Sequence, residues 1–516
     1  MGSTVTSELT APMPPVLLEQ VLRSNARQMP DHVAVVGTQV PVTWAQLDAG
    51  ADRVAGIIAD TGGAGSQVAF FGANDFGYPM VLVGAHRQRS ALVGINWRLP
   101  DESIRASCQQ VGVTHVFTSV AFAERARAII ADSEIHLVVI DQSTAEPWPE
   151  QAPGATLPAE PDDVAMVFFT SGSTGVPKAV PYTRKAFEIG ASTPVVHGFT
   201  NDSTLLVVPP TFHLAGSYWA QYGILYGARQ VYLADASPAA LVAGMVEHEV
   251  THAVLVPTLI RMLLDQLAAQ GTSLPAFRHL AYGASPMPVP MIREALAVIG
   301  CEMCQVFGMT EAGGVVTYLP PEDHVVGGPH AARLGSAGRP TAGVEVEVRD
   351  LVLDEPVPVG TSGNLWFRTT FMADHYLGQP QASAAVFVDG WLNSRDVGRL
   401  DADGYVYVEG RSDDMIITGG ENVHPNEVES VITELAEVVE VTVFATPDPQ
   451  WTHKVNAAVV RRDESLSAEQ VREHCRSRMA GYKVPKEIHF LEALPKTATG
   501  KVSRSAVVAA VQEEVR

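Results

Sequence analysis

Basic residues are scarce in this chain, and no run of lysine or arginine interrupts it. Thirty-five Lys and Arg residues stand against fifty-seven Asp and Glu residues, which gives a net charge of −22 over 516 residues. Nucleic-acid-binding proteins depend on clustered positive charge, so this composition argues against a nucleic-acid partner. If the substrates are anions, the positive field that binds them must be local.

Cysteines are few, and long apolar runs are absent. No apolar stretch reaches the roughly 18 residues of a membrane span, so we expect none. Four cysteines, with no recognisable signal peptide, favour a reducing cytoplasm over a disulfide framework. Cys301 and Cys304 have a C-x-x-C spacing, but they lie in a predicted core strand and no second ligand pair accompanies them. The spacing alone therefore predicts neither a redox nor a metal role.

The pattern of strands and helices predicts an α/β fold. Strands and helices alternate through the first 160 residues and again to about residue 307, which is typical of parallel sheets with helices on both faces. Short strands dominate from about Leu334, and a separate α+β pattern follows a polar joint at 410–414. We predict a large N-terminal domain (1–410) of doubly wound sheets plus a β-rich subdomain, a hinge (411–414), and a small α+β C-terminal domain (415–516).

A glycine-rich turn is the clearest chemical signal. An apolar strand ending at Phe169 runs into the residues Thr170, Ser171, Gly172, Ser173, Thr174, Gly175, Val176, Pro177 and Lys178. Glycines let backbone N–H groups point inward, and the hydroxyls and the ammonium add further donors, so we predict a cradle for phosphate oxygens. Two residues separate Gly175 from Lys178. The common NTPase P-loop, in which lysine follows the glycine directly, is therefore excluded.

A carboxylate follows a second strand. The strand predicted to end at Phe307 leads into Gly308, Met309, Thr310 and Glu311. Near a phosphate cradle, Glu311 is suited to bind Mg2+ that bridges phosphate oxygens, and the Thr310 hydroxyl can donate to the same phosphate. The alternative is that Thr310 caps a following helix with Glu311 in its first turn.

The segment TSGSTGVPK resembles the phosphate loop of the adenylate-forming superfamily, which includes acyl- and aryl-CoA ligases, peptide-synthetase adenylation domains and luciferase. The resemblance spans about Val164 to Lys501, with the motifs in family order. The further matching segments are PPTFH (209–213), YGAS (282–285), QVFGMTEAG (305–313), GWLNSRDVG (390–398), GRSDD (410–414), GGENVHP (419–425) and LPKTATGK (494–501).

The resemblance implies roles for individual residues. The nucleotide would contact the loop from Thr170 to Lys178, Gly283, Ala284, Ser285, Phe307, Gly308, Asp396 and Arg411. In the family, the residue at Phe307 stacks on adenine, and the residue at Asp396 accepts both ribose hydroxyls. The acyl pocket would be formed by the gating residue His213 with Ala215, Gly216, Gly283, Gly308 and Met309. Taken alone, Asp396 is equally a surface turn carboxylate and His213 a structural histidine.

The same resemblance implies a mobile C-terminal domain. Asp413 would be the hinge residue, and Lys501 would contact both the carboxylate and the α-phosphate during adenylation. After rotation, the residues lining the CoA tunnel would be Gly419, Gly420, Glu421 and Asn422. The implied co-substrates and cofactor are ATP, CoA and Mg2+, and a homodimer is compatible with the family.

The implied activity is that of an acyl-CoA ligase that works through an acyl adenylate. The family's Thr-Gly before the ribose-binding aspartate is replaced here by Ser394 and Arg395. A homologue with impaired adenylation, which takes a preformed adenylate, is therefore one alternative. An enzyme that loads a carrier protein is a second, and a non-catalytic nucleotide-binding homologue is a third. The small residues at the acyl pocket suit bulky acids and fatty chains alike, so the acid stays open.

Overall fold

The computed structural model describes residues 4–6, 16–36, 40–141, 143–144, 152–170, 177–192, 197–233, 237–496 and 502–514. Its architecture confirms the predicted α/β class, with a large N-terminal domain of sheets and helices and a small C-terminal α+β domain. None of the helices in these ranges combines the length and apolar character needed to cross a bilayer.

The first sheet of the large domain has six strands, and the last of them returns antiparallel to its neighbour. Their spatial order is His136–Ile140, His115–Ser119, Gln67–Phe71, Ala91–Val93, Val164–Thr170 and Lys178–Thr183. The helices in this part of the chain are Trp44–Thr61, Gly77–Arg87, Asp101–Val111 and Ala123–Ile130, and a 3-10 turn covers Val120–Phe122. Thr43 caps the first of these helices in a capping box with Gln46.

The second sheet has nine strands, and its six central strands run parallel. Their order is Arg339–Pro340, Gly314–Leu319, Glu302–Met309, His279–Gly283, His252–Leu255, Thr204–Leu206, Arg229–Val231, Val33–Val36 and Pro41–Thr43. The accompanying helices are Leu18–Gln28, Arg184–Ser192, Leu214–Tyr226, Pro238–Glu247, Pro257–Gln270 and Val289–Ile299. Short 3-10 turns cover Thr310–Ala312, Pro321–Asp323 and Ala331–Gly335.

The third sheet is antiparallel and corresponds to the predicted β-rich subdomain. Its strands are Thr4–Thr6, Val344–Arg349, Gly363–Thr369, Trp391–Leu400, Phe387–Val388 and Val406–Arg411, and the helix Pro380–Ala384 precedes the short strand. The ten-residue strand Trp391–Leu400 lies in a stretch that the sequence pattern does not predict to be a strand. It pairs on one side with Gly363–Thr369 and on the other with Val406–Arg411.

The C-terminal part has its own sheets and its own hydrophobic core. A single 3-10 turn, Ser412–Asp414, follows the last strand of the third sheet. The strands beyond it are Ile416–Thr418, Glu421–Val423, Val438–Asp448, Thr452–Arg461 and Glu487–Phe490, and the helices are Pro425–Ile432, Ala468–Arg476 and Arg504–Glu514. Two apolar clusters are formed only by residues from 416 onward. The predicted hinge range coincides with the turn, and its mobility stays a prediction.

A buried ion triad joins two helices inside the large domain. The Arg184 guanidinium donates to Glu188 on its own helix and to Glu19 on the first helix, and all three side chains are at most 5% exposed. It also donates to the backbone oxygen of His86 at 3.3 Å. Removal of the arginine would leave two carboxylates buried without a cation, which is far more costly than the loss of a surface pair.

We therefore expect Arg184→Met to lower the free energy of unfolding by about 3 kcal/mol. The matched control is Arg89→Met, because Arg89 pairs with Asp163 at 2.7 Å but is one-third exposed. Urea titration followed by tryptophan fluorescence measures both variants. Equal unfolding midpoints for the two variants would contradict the assignment of the triad as a structural element of the core.

Candidate active site

Loops carrying polar and aromatic residues meet at the carboxyl edge of the second sheet. The strands Thr204–Leu206, His279–Gly283 and Glu302–Met309 run parallel, so the segments that follow them emerge at the same edge. Those segments carry His213, the pair Ala284 and Ser285, and the turn with Glu311. The sequence predicts this convergence, and the topology places the three segments together.

The strand that leads to Glu311 is longer than predicted, and the segment after it is not a helix of the α type. The strand continues past Phe307 to Met309, turns through Thr310–Ala312, and returns as Gly314–Leu319. The helix-cap alternative for Thr310 is therefore wrong, since Met309 occupies the N-cap position of this single turn and no side chain caps it. Phe307 stays half-buried on this hairpin, 5.9 Å from the ring of Phe367.

Glu311 lies next to a buried tyrosine and the lysine of the phosphate loop. The Tyr376 hydroxyl donates to Glu311 Oε1 at 2.8 Å, and Lys178 Nζ lies 4.9 Å from the centroid of the Tyr376 ring. Burial, together with the neighbouring carboxylate, raises the pKa of Tyr376 well above its usual value, so the phenol stays a donor. Tyr376 therefore contacts both residues, since its hydroxyl fixes one oxygen of the Glu311 carboxylate and Lys178 lies against its ring.

The Tyr376 segment links the two halves of this site, and sequence reasoning missed it. The backbone N–H of Leu377 donates to the backbone oxygen of Ala179, next to Lys178. The backbone N–H of Ala373 donates to the backbone oxygen of Glu311. Tyr376 lies 65 positions from Glu311 in the chain and is only 3% exposed. A buried Tyr next to His375 and Leu377 carries no local signal that separates it from a core residue.

The loop that carries His213 is held in place by Asn74, which follows the strand Gln67–Phe71 of the first sheet. Asn74 Nδ2 donates to the backbone oxygens of Val207 and Pro209, and its Oδ1 accepts from the N–H of Thr211. His213 then occupies the N-cap position of the helix Leu214–Tyr226, half-buried against the Phe212 ring at 4.6 Å. Asn74 is a second supporting residue that the sequence did not indicate.

The small residues predicted for the acyl pocket have structural reasons of their own. A Cβ on Gly216 would lie 2.3 Å from the backbone oxygens of Pro209 and Pro210, and one on Gly283 would lie 2.1 Å from that of Val306. A Cβ on Gly308 would lie 1.9 Å from the backbone oxygen of Gly314. Close approach of neighbouring backbones thus requires these glycines, and their size carries no information about the acid. Ala215, by contrast, is exposed at the start of its helix.

Asp396 lies within a strand and is largely buried, so the surface-turn alternative is wrong. Its N–H donates to Ser394 Oγ at 3.0 Å, and Ser394 Oγ donates to the Leu365 oxygen at 2.6 Å. Arg411 is its register partner on the next strand, with Nη1 at 3.6 Å from Asp396 Oδ1. The serine that replaces the family threonine therefore acts as a backbone anchor for this strand.

Arg395 adopts a backbone conformation suited to glycine. Its φ is +60°, in the left-handed region that costs a side-chain-bearing residue about 1 kcal/mol. Its Nη1 lies 3.4 Å from Asp413 Oδ2, and Ser412 Oγ donates to its backbone oxygen at 3.2 Å. The residue at the family's glycine position thus has a backbone conformation that favours glycine, and its side chain reaches the predicted hinge residue.

The predicted CoA segment is a tight β-hairpin. Gly419 and Gly420 are the two turn residues, with φ of +59° and +86°, and Thr418 pairs with Glu421 across them. Glu421 and Asn422 therefore lie on a strand and are exposed. The Gly419 N–H donates to the backbone oxygen of Trp451 at 2.8 Å, which fixes the hairpin on the second strand pair of the small domain.

Several predicted site residues lie outside the described part of the chain. These are Ser171, Gly172, Ser173, Thr174 and Gly175 of the phosphate loop, and Lys501. The two ends of the loop are described, and they pair directly because Thr170 and Lys178 face each other across the hairpin.

Comparison with known proteins agrees with this geometry. The AMP-binding enzyme family model matches residues 22–377, and the model of the AMP-binding enzyme C-terminal domain matches 427–501. A feruloyl-CoA synthase from an Amycolatopsis species is 31% identical over 487 residues, covering 94% of this chain and 96% of its own length. The fatty acid–[acyl-carrier-protein] ligase ScoC of Streptomyces coeruleorubidus is 29% identical over 497 residues, covering 94% and 95%.

A solved structure shares the whole architecture. The amide bond synthetase McbA from Marinactinospora thermotolerans superposes with a TM-score of 0.85 at 26% identity, covering 96% of this chain and 99% of that one. The relatives therefore share one scaffold and differ in the acceptor that their names give. With both family models matched and the strand ends arranged as described, this chain belongs to the AMP-binding enzymes of the adenylate-forming superfamily.

Proposed function

We propose that this enzyme is an acyl-CoA ligase, which converts a carboxylic acid into its CoA thioester through an acyl adenylate. The observation that carries the proposal is the contact of Glu311 with Tyr376 beside Lys178, at the edge where the strand ends meet. A fixed carboxylate next to a cation suits a nucleotide triphosphate with its metal ion. The feruloyl-CoA synthase among the relatives supports CoA as acceptor.

The residues present fit Mg2+ at Glu311. Only one oxygen of this carboxylate receives the Tyr376 hydrogen bond, and oxygen ligands are those that Mg2+ prefers. When bound, Mg2+ would neutralise charge on the phosphates. Tyr376 orients the carboxylate, and Lys178 with Lys501 supplies positive charge near the α-phosphate as pyrophosphate leaves. Asp396 would hold the ribose, while Phe307 would stack on the adenine.

The second half-reaction would use the other face of the small domain. After rotation about Asp413, the hairpin with Gly419, Gly420, Glu421 and Asn422 would replace Lys501 at the site. The CoA thiol would then attack the carbonyl of the acyl adenylate, forming the thioester as the acyl–phosphate bond breaks and AMP leaves with release of the thiol proton. Rigid attachment of the hairpin through Gly419 and Trp451 supports its use as a tunnel wall. His213, held through Asn74, would border the acid.

Arg395 favours a second candidate function. Its guanidinium adds a cation next to Asp396 and bonds to the predicted hinge residue Asp413. A displacement of about 1 Å in such a site can cost roughly 100-fold in rate. In this alternative, adenylation is impaired, and the enzyme takes a preformed acyl adenylate.

We expect the wild-type enzyme to catalyse both half-reactions, since Glu311, Lys178 and Lys501 are all present. Carboxylate-dependent ATP–pyrophosphate exchange measures the first half, and thioester release from synthetic acyl adenylate plus CoA measures the second, each over a panel of aromatic and fatty acids. Competition between CoA and a phosphopantetheinylated carrier protein identifies the acceptor. If thioester forms from synthetic adenylate but no acid supports ATP–pyrophosphate exchange, the enzyme is not a complete ligase. That result would favour the alternative with impaired adenylation.

Arg395→Gly separates the two candidates further. In a complete ligase the arginine is a tolerated variation, so the exchange rate should stay close to that of the wild type. An increase of about 100-fold in exchange, with no change in thioester release, would show that Arg395 limits adenylation. Arg399→Gly, four residues along the same strand and paired with Glu409, is the matched control.

We expect Glu311→Gln to lower the exchange rate by about 100- to 1000-fold because a charge that acts on the phosphates is lost. Tyr376→Phe should lower it by about 10-fold, the effect of one hydrogen bond to a charged group, and should raise the Mg2+ concentration needed for half-maximal exchange. Thioester release from synthetic adenylate serves as the control. If it falls in parallel with exchange, the damage is structural and these assignments fail.

A further inference from the structure

A cluster of two histidines and one cysteine lies buried at the amino edge of the second sheet. His279 is the first residue of its strand, Cys304 is the third residue of the neighbouring strand, and His197 belongs to the segment before Thr204–Leu206. Their exposures are 2%, 0% and 5%. The active-site loops follow the opposite ends of these strands, about 13 Å away along His279–Gly283. None of the predicted site residues belongs to this cluster.

The donor atoms of the three side chains converge. His197 Nδ1 lies 3.1 Å from His279 Nε2 and 3.9 Å from Cys304 Sγ, and all three atoms are within 4.8 Å of one another. Zinc–nitrogen bonds of about 2.0 Å and zinc–sulfur bonds of about 2.3 Å separate tetrahedral ligands by about 3.3 Å and about 3.5 Å. The observed distances lie on both sides of these values, so only small side-chain adjustments separate the cluster from a coordination sphere.

Neighbouring groups hold the two histidines at the sheet. His279 Nε2 faces His197 Nδ1, while its other ring nitrogen, Nδ1, lies 3.8 Å from Glu302 Oε2. His252 Nε2 donates to the backbone oxygen of His197 at 2.9 Å and so holds that segment against the sheet.

An aromatic shell encloses the cluster. The rings of Phe199, Trp219 and Tyr222 have centroids 5.0, 5.2 and 6.0 Å from that of His197. His197 Nδ1 and His279 Nε2 share one hydrogen bond, and the buried Cys304 thiol lies 3.9 Å from His197 Nδ1. A thiophilic ion would engage all three donors at once, since coordination deprotonates the thiol and its charge is neutralised by the metal.

We propose that His197, His279 and Cys304 form a structural site for Zn2+. A set of two imidazoles and one thiolate suits zinc, with one position left for water. The ion would cross-link two strands of the second sheet to the segment before Thr204–Leu206. Because the site lies at the edge away from Glu311, the proposal is independent of the proposed ligase activity.

The test uses full-length protein without a polyhistidine tag. We expect about one equivalent of zinc by plasma mass spectrometry after expression with zinc, and a thiolate-to-cobalt absorption band in the near ultraviolet when the metal-free protein is titrated with Co2+. Cys304→Ser should lose this band. Cys475→Ser, which removes another buried cysteine, should keep it. Cobalt held by oxygen atoms at Glu311 gives no sulfur band, so the two sites are distinguishable.

A second measurement uses thermal stability and includes the wild type, for which folding is not in question. Zn2+ should raise the melting temperature of the wild type and of Cys475→Ser, because an ion that binds only the folded state stabilises it. It should leave that of Cys304→Ser unchanged. Absence of the cobalt band in the wild type, or its persistence in Cys304→Ser, would show that the cluster is only a hydrogen-bonded part of the core. Loss of ligase activity has no bearing on either outcome.

Discussion

Parallel pairing of the second sheet is the constraint on which the active site depends. Strands that run parallel must be joined by crossovers, so every loop that follows them emerges at one edge. Three segments that are far apart in the chain, ending in His213, Ser285 and Glu311, thereby emerge at the same edge. The third sheet adds Asp396, and the segment around Tyr376 connects its region to the phosphate-loop hairpin. The chemistry thus rests on backbone topology more than on any single side chain.

The sequence predicted those features whose signals are local. Apolar runs indicated most strands of the two large sheets, and glycine spacing predicts a phosphate loop that lies largely outside the described residues. The strand Trp391–Leu400 was not predicted because Asn393, Ser394 and Arg395 have the composition of a turn. Residues on both sides of Ser394 and Arg395 pair with Gly363–Thr369, and this pairing carries the strand across the irregularity at Arg395. Tyr376 and Asn74 escaped for a related reason. Each forms hydrogen bonds with residues 65 to 137 positions away in the chain. A pattern of neighbouring residues cannot identify a partner that is so distant in sequence.

The polar joint between the domains is more firmly tied than its composition suggests. Arg395 contacts Asp413, and Arg504 from the last helix donates to Asp414 at 2.5 Å and to Glu429 at 3.0 Å. Exposed ion pairs of this kind contribute little individually and are screened by salt. Such weak pairs suit the hinge that the sequence predicts, because salt-sensitive contacts can break and reform at low cost. The same residues connect the strand bearing Asp396 to the C-terminal helix.

The first strands of the second and third sheets pair with strands that come much later in the chain. Val36 pairs with Val231, and Thr6 in the third sheet pairs with Glu345. At about 5 to 20 residues per second, the ribosome needs roughly 10 to 40 seconds to supply Val231 after Val36. During that interval the hairpin from Val33 to Thr43 has no neighbouring strand to complete its hydrogen bonds. We therefore expect newly made chains to expose an open β edge during this interval, so that the yield of folded enzyme should depend on translation speed and on chaperones.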